Sequence, residues 1–485
     1  MSSISRCLVH SHRPQAVVDL AKDMVARGAE LLAVGATGAH LRAVGVPVSE
    51  STPAVEATAL SSALQLLDAR IHGGLLGDWE SAEERAGLER QGIKRIDLVA
   101  VELEPGAFAT GPAAVLRSAA RNPQRVITLC DLQDAPSVLE ALDAGGPDLA
   151  LRRELARKAL GALASLDASL AVDPAAGERV PDSWALNLQR SLRLPIAAAP
   201  EPTGLFRTDP QEAGLELVAG PPPAAGRVLD ADQAWSLVAG LEQPAATLVH
   251  HRALCGFSLG PDGLAAAFER ARATDPRGAF GAVAAVNRPL DGAAARGVGA
   301  GFIAAVVAPD FSAEARAGLG AGRTRLLRVR PGGEPQPRCH STGFGTLLSW
   351  RGRGAAGATG WRASTSRNPD AAELAGLELA WHLAGRLPPV AVVICDGRQL
   401  WAAGSGQTSW RQAARLAVSR LPAGARGLVA ASGHPVRFAD DVALLAEAGI
   451  AAIRYPAGAP RQAEVAARAD ELGLAVQVPS SEEGL

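Results

Sequence analysis

Ala29-Glu-Leu-Leu-Ala-Val-Gly-Ala-Thr-Gly38 is an apolar run, too short for a helix, that stops at a glycine and passes into a helical pattern. Strand, tight glycine turn and helix in that order make half of a βαβ unit. Working outward, Cys7-Leu-Val9 reads as an earlier strand, and Pro14 to Arg27 as an amphipathic helix ended by Gly28. Ile96-Asp-Leu-Val-Ala-Val-Glu102 and Arg125-Val-Ile-Thr-Leu-Cys-Asp131 read as further strands. The alternation predicts a mostly parallel, doubly wound α/β domain over residues 1–190.

Residues 151–190 read mainly as helix, and 191–228, rich in Pro and Ala, as a linker. A second unit, 229–370, opens with the helix Leu229-Asp-Ala-Asp-Gln-Ala-Trp-Ser-Leu-Val. Its strands are predicted at Ala245 to Val249, Gly301 to Val307 and Arg323 to Arg328. A third unit, 371–485, has strands at Val390 to Cys395, Gly427 to Ala431 and Ala451 to Arg454. Its strand-turn-helix rhythm echoes the second unit and suggests a diverged duplication.

Hydrophobic residues make 48% of the chain and charged ones 20%, which describes a folded protein and not a disordered one. A net charge of -2 gives no general attraction to nucleic acid or to an anionic membrane. No apolar run reaches the length of a membrane span, and the first residues have no signal-peptide core. Cys7, Cys130, Cys255, Cys339 and Cys395 are dispersed, without a C-x-x-C pair. That pattern argues for a reducing, cytoplasmic setting and against a disulfide framework or structural zinc. His10 and His12 share a strand face, but no third ligand is indicated, so no metal is expected.

Two segments suit a phosphate. Gly35-Ala-Thr-Gly38, with Thr37 in its midst, offers free N–H groups and the positive end of a helix dipole, although a tight turn needs glycine in any case. Gly111-Pro-Ala-Ala-Val-Leu-Arg-Ser-Ala-Ala-Arg121 repeats the arrangement, with Pro112 suited to a first helical turn.

These segments resemble, in register, the IMP cyclohydrolase domain of the bifunctional purine-biosynthesis family. That family joins cyclohydrolase activity to aminoimidazole-carboxamide ribonucleotide (AICAR) formyltransferase activity. Arg27-Gly28, Gly45-Val-Pro-Val48, His72-Gly-Gly74 and Ile96-Asp-Leu-Val99 extend the match. Further on, Leu229-Asp-Ala-Asp232, Asp275-Pro-Arg-Gly-Ala-Phe-Gly281, Asp396-Gly397, Gly404-Ser-Gly-Gln-Thr-Ser409 and Phe438-Ala-Asp440 follow the transformylase pattern. Leu248-Val-His-His-Arg-Ala-Leu-Cys-Gly256 is similar to the family's Val-Lys-His-x-Asn-Pro-Cys-Gly. The resemblance covers nearly the whole chain and implies a methylglyoxal-synthase-like domain followed by two cytidine-deaminase-like units, in a homodimer.

The resemblance carries over His251 as the possible base and His250 at the lysine position. It implies ligand contacts at Gly35, Thr37, Gly38, Arg70, Gly111, Arg121, Phe280, Gly281, Gly406 and Gln407, a purine nucleotide as ligand and 10-formyltetrahydrofolate as co-substrate. Other positions depart from the family. Its lysine-bearing Lys-Thr-Leu-His-Pro-Lys falls on Gln65-Leu-Leu-Asp-Ala-Arg70, and its tyrosine on Glu104. Its catalytic asparagine falls on Pro389, an arginine on Trp410, an aspartate on Phe108 and another on Arg351. The nucleotide-binding segment falls on Leu194 to Pro202, keeping only the leucine and one proline. Each lost acid–base or charge-stabilising group removes about 10²–10⁴-fold in rate, without simple additivity. Ring closure is therefore expected to be lost, and formyl transfer to rest on His251 alone. A non-catalytic paralogue that binds a nucleotide or a catalytic homologue is the competing reading, and a pocket repurposed for another ligand is a third.

Overall fold

The computed structural model describes residues 4–49, 62–104, 109–171, 185, 188–194, 203–207, 214–320, 322–330, 338–349, 360–458 and 460–480. Phe108, Arg351, most of Leu194 to Pro202 and the last five residues lie outside this set. The chain divides into two compact units, Met1–Gln189 and Arg190–Leu485.

In the first unit Arg6–His10 pairs in parallel with Glu30–Ala33 on one side and Leu98–Val101 on the other, and Ile127–Leu129 adds outside the latter. The strand centres are apolar because both faces are covered. Leu8, Leu32, Val99 and Val101 pack into one core with the helices Ala69–Leu76, Thr110–Ala120 and Leu149–Ala171. Cys7, Val9, Leu31, Ala33, Leu98 and Ala100 face a second core containing Leu20, Met24 and Val138. This is the expected two-sided winding.

The second unit holds two six-stranded sheets. Strand Leu215–Ala219 is followed by helix Ala225–Val238, the hairpin Ala245–His250/Ala253–Leu259, helix Leu264–Thr274, and strands Val283–Val286, Ala305–Ala308 and Arg325–Val329 with helices between. Strand Trp361–Ala363, helix Ala371–Ala384, the hairpin Val392–Cys395/Leu400–Gly404, helix Trp410–Val418, and strands Leu428–Ser432, Ile450–Arg454 and Ala475–Pro479 repeat that order. Strand order matches as well, with the opening strand antiparallel at one edge and the hairpin at the other. The suspected duplication is thus visible in the topology. The two sheets meet hairpin to hairpin through a bridge between Ser258 and Gln399.

One core joins the repeats, running from Val249, Val283 and Val307 to Leu383, Val393 and Ala431. Two helices pass through it, and His382 and Gln233 tie them at Leu237 and Arg386 carbonyls. Leu215–Ala219 lies inside the stretch expected to be linker, and the helix expected at Leu229 already begins at Ala225. Pro and Ala dominate the composition there, but Leu215 and Leu217 still supply an apolar face for an edge strand.

Candidate functional site

In the first unit three neighbouring strand ends converge. Thr37 sits in the first turn of helix Gly35–Ala43, fully buried. Its hydroxyl donates to the Ser11 carbonyl at 3.0 Å and accepts from the Ser11 N–H at 3.2 Å. Ser11 Oγ donates to Glu102 at 2.5 Å, and Arg13 pairs with the other oxygen of Glu102 at 2.7 Å. The Glu102 carboxylate, 8% exposed, therefore stands at the carboxyl edge of the sheet with its charge matched internally. Thr37 is spent inside the protein, whereas Arg13, paired with Glu102, keeps an exposed side chain.

Gly38 is a packing glycine, since a Cβ there would lie 2.8 Å from the Ala33 carbonyl oxygen. Gly35, at φ +56, and the first-turn N–H groups keep the anion-friendly geometry. Arg70, expected as a ligand contact, is held by Asp68 through Nε at 3.2 Å and Nη2 at 3.1 Å. Asp68 is the cap of the same helix and accepts from the Arg70 N–H, so the fork lies against its own N-terminus. Gly111 is buried one residue inside the helix Thr110–Ala120, while Arg121 stands exposed at its C-terminal end. Arg121 shares a cavity wall with Thr110, Arg117 and Ser118, whereas Arg70 does not line that cavity.

In the second unit the hairpin turn consists of His251 and Arg252, both left-handed at φ 52 and 64. Asp230, 2% exposed, accepts both of their N–H groups, at 3.3 and 2.7 Å. The strand ends at His250, so strand alternation does not set the two rings on opposite sides. Instead their rings stack, 4.1 Å apart and 17° from parallel. His250 Nδ1 lies 3.1 Å from the Gly278 carbonyl oxygen. Burial first, and then the neighbouring His251, push the His250 imidazole below its ordinary range, so it is neutral at pH 7. An imidazole, and not an ammonium, therefore stands at the position that the resemblance aligns with the family's lysine. His251 is exposed.

Phe280 is 67% exposed and tilts against Phe302 at 5.3 Å. Gly281, at φ +77, brings its backbone beside Phe302 and the His250 ring. The structure thus gathers His250, His251, Phe280 and Gly281. Gly406 and Gln407 lie in the loop before helix Trp410–Val418, where the Gln407 amide is turned back onto the Ser405 carbonyl. Trp410, at the family's arginine position, is 6% exposed and belongs to the C-terminal core. Pro389 is exposed.

Sequence reading missed Glu102 and Asp230. A glutamate directly after an apolar strand end was the signal for the first. The second lay in Leu229-Asp-Ala-Asp232, read only as scaffold.

A family model described as AICARFT/IMPCHase bienzyme matches residues 119–420. The chain is also 34% identical to the bifunctional purine biosynthesis protein PurH of Myxococcus xanthus (strain DK1622), over 95% of this chain and 96% of that one. The chain belongs to this family. PurH of Sorangium cellulosum (strain So ce56) is 32% identical to this family member over 98% of each chain. A solved structure, ForH, is 29% identical and covers 35% of this chain, at a TM-score of 0.31 that places no residue. The family is one of purine biosynthesis, with 10-formyltetrahydrofolate as its co-substrate. Among the described residues no group of three His, Cys, Asp or Glu is arranged to hold a metal, and no helix is long and apolar enough to cross a membrane.

Proposed function

We propose that this chain is a diverged purine-biosynthesis homologue that binds a purine nucleotide without closing its ring or formylating it. The observation that carries this reading is the His250 imidazole, stacked on His251 with Nδ1 3.1 Å from the Gly278 carbonyl oxygen, at the position that aligns with the family's lysine. Without that cation, nothing at this position stabilises the oxyanion of a tetrahedral formyl-transfer intermediate. Pro389, at the asparagine position, offers neither a side-chain amide nor an N–H. In the first unit, Glu102 bound to Arg13 and Ser11 supports loss of ring closure, because the groups at that edge are paired with each other. Nucleotide binding is supported by the exposed Phe280 beside Gly281, an aromatic face suited to a base.

The two-sided parallel sheet supports the methylglyoxal-synthase-like reading, and the repeated six-stranded sheets the cytidine-deaminase-like one. Family membership also supports a homodimer in the cytoplasm.

His251 favours a second reading. Its exposed imidazole, held by the Asp230-anchored turn, is a base available to a substrate amine. Purified protein with AICAR and 10-formyltetrahydrofolate separates the two readings by tetrahydrofolate release. The proposal expects no turnover above background and calorimetric binding of IMP or AICAR. Turnover that disappears in His251→Ala would overturn it in favour of slow formyl transfer.

A further inference from the structure

Between the two repeats of the second unit lies a cavity that neither histidine lines. Its volume is about 430 Å³, and its walls come from the strands Ala253–Leu259 and Leu400–Gly404, where the hairpins meet. Leu254 and Leu400 make an apolar floor, at 4% and 1% exposure. The Trp401 indole N–H is committed to Asp396 at 2.8 Å, which fixes the ring. A tryptophan whose polar atom is satisfied inside the protein adds apolar surface to the cavity.

The rim is cationic. Arg277 has no hydrogen-bond or ion-pair partner for its guanidinium among the described residues, and it lines the cavity. Arg420 lies on the same cavity and gives one N–H to the Ala403 carbonyl at 3.1 Å, with no acidic partner among the described residues. Asp275 is the cavity's one acidic lining residue, and it accepts from the Gly278 N–H at 2.8 Å. Two guanidinium groups against one carboxylate leave a net positive rim over an apolar floor. Arginine forks match a planar carboxylate in two-pronged fashion.

We infer that this inter-repeat cavity is a binding site for a small monoanion with a flat apolar body, of the aryl carboxylate class. The carboxylate meets Arg277 and Arg420 at the rim, and the ring lies against Trp401, Leu254 and Leu400. The two repeats close this site around each other, so it is separate from the turn that carries His251.

2-Naphthoate is the probe, titrated calorimetrically into the full-length protein. It should bind at one site per chain, and Arg277→Ala and Arg420→Ala should each weaken it about tenfold or more, as loss of a charge-assisted bond predicts. His251→Ala should leave binding unchanged. Both arginines are exposed, so their alanine variants should melt like the parent; a melting curve checks this. Inorganic phosphate in excess, competing fully, would show an anion site without the ring contact and would overturn the aryl specificity. No binding at roughly 10 mM ligand, or equal affinity in parent and both arginine variants, would overturn the site.

Discussion

His251 and Arg252 sit in a backbone region that neither side chain favours, and the two Asp230 oxygens hold them there. Two-residue hairpin turns with both residues left-handed are the setting in which Asn-Gly is preferred. The double change His251→Asn, Arg252→Gly should therefore stabilise the protein by about 1 kcal/mol, seen as a raised urea midpoint. A lowered midpoint would mean that the stacked His250–His251 pair contributes more than the turn costs. A histidine kept at a strained turn position is the pattern expected of a residue retained for its ring. Gly256 is the opposite case, because space alone dictates it. A Cβ there would lie 1.8 Å from the Ala271 carbonyl oxygen, and backbone cannot step aside. Gly256→Ala should cost about 3 kcal/mol, the upper end of overpacking, with the helix Leu264–Thr274 forced off the hairpin. A thermal midpoint equal to the parent's would refute that.

At the scale of elements, the helices Ala225–Val238 and Ala371–Ala384 are joined by His382, whose Nε2 lies 2.8 Å from the Leu237 carbonyl oxygen. Burial, and then the nearby Arg386, lower the His382 pKa to about 4. The folded state thus keeps this ring neutral at a pH where the unfolded chain, near 6.5, takes up a proton. Stability is full above about pH 6.5 and falls as the pH drops towards 4, by on the order of 3 kcal/mol from this group. His10 and His250 are shifted in the same direction and add to the slope. His382→Gln keeps a donor for Leu237 and gains no proton, so its urea midpoint should fall less between pH 7 and pH 4.5 than the parent's. Parallel falls would sink the assignment.

The same elements show what the sequence made legible. Strands such as Leu98–Val101 were readable because burial on both faces leaves an unbroken apolar run. Leu215–Ala219 was not, because an edge strand needs only one apolar face and its neighbours were proline and alanine. Among the candidate site residues, His250 and His251 were legible by type and position. Their stacking was not, since it depends on where the strand stops and the turn begins. Arg70 retained its charge in sequence and lost its availability to Asp68, a partner two residues away.

At the scale of the molecule, the division into Met1–Gln189 and Arg190–Leu485 leaves each unit with cores of its own. A unit that buries its own apolar surface should fold alone. Residues 190–485, expressed separately, should give a cooperative urea transition at the midpoint of one of two steps seen in the whole chain. The repeats within that unit are not separable in this way. Leu379, Leu383 and Val393 of the second repeat pack in one cluster with Val249, Phe257 and Val307 of the first, and the His382–Leu237 bond crosses the same boundary. Residues 360–485 alone would expose that whole face to water, at about 25 cal/mol per Å² of apolar surface. They should therefore fail to unfold cooperatively and should bind a hydrophobic dye as the longer fragment does not. A sharp transition from the shorter fragment would show that the duplicated sheets remain independent domains.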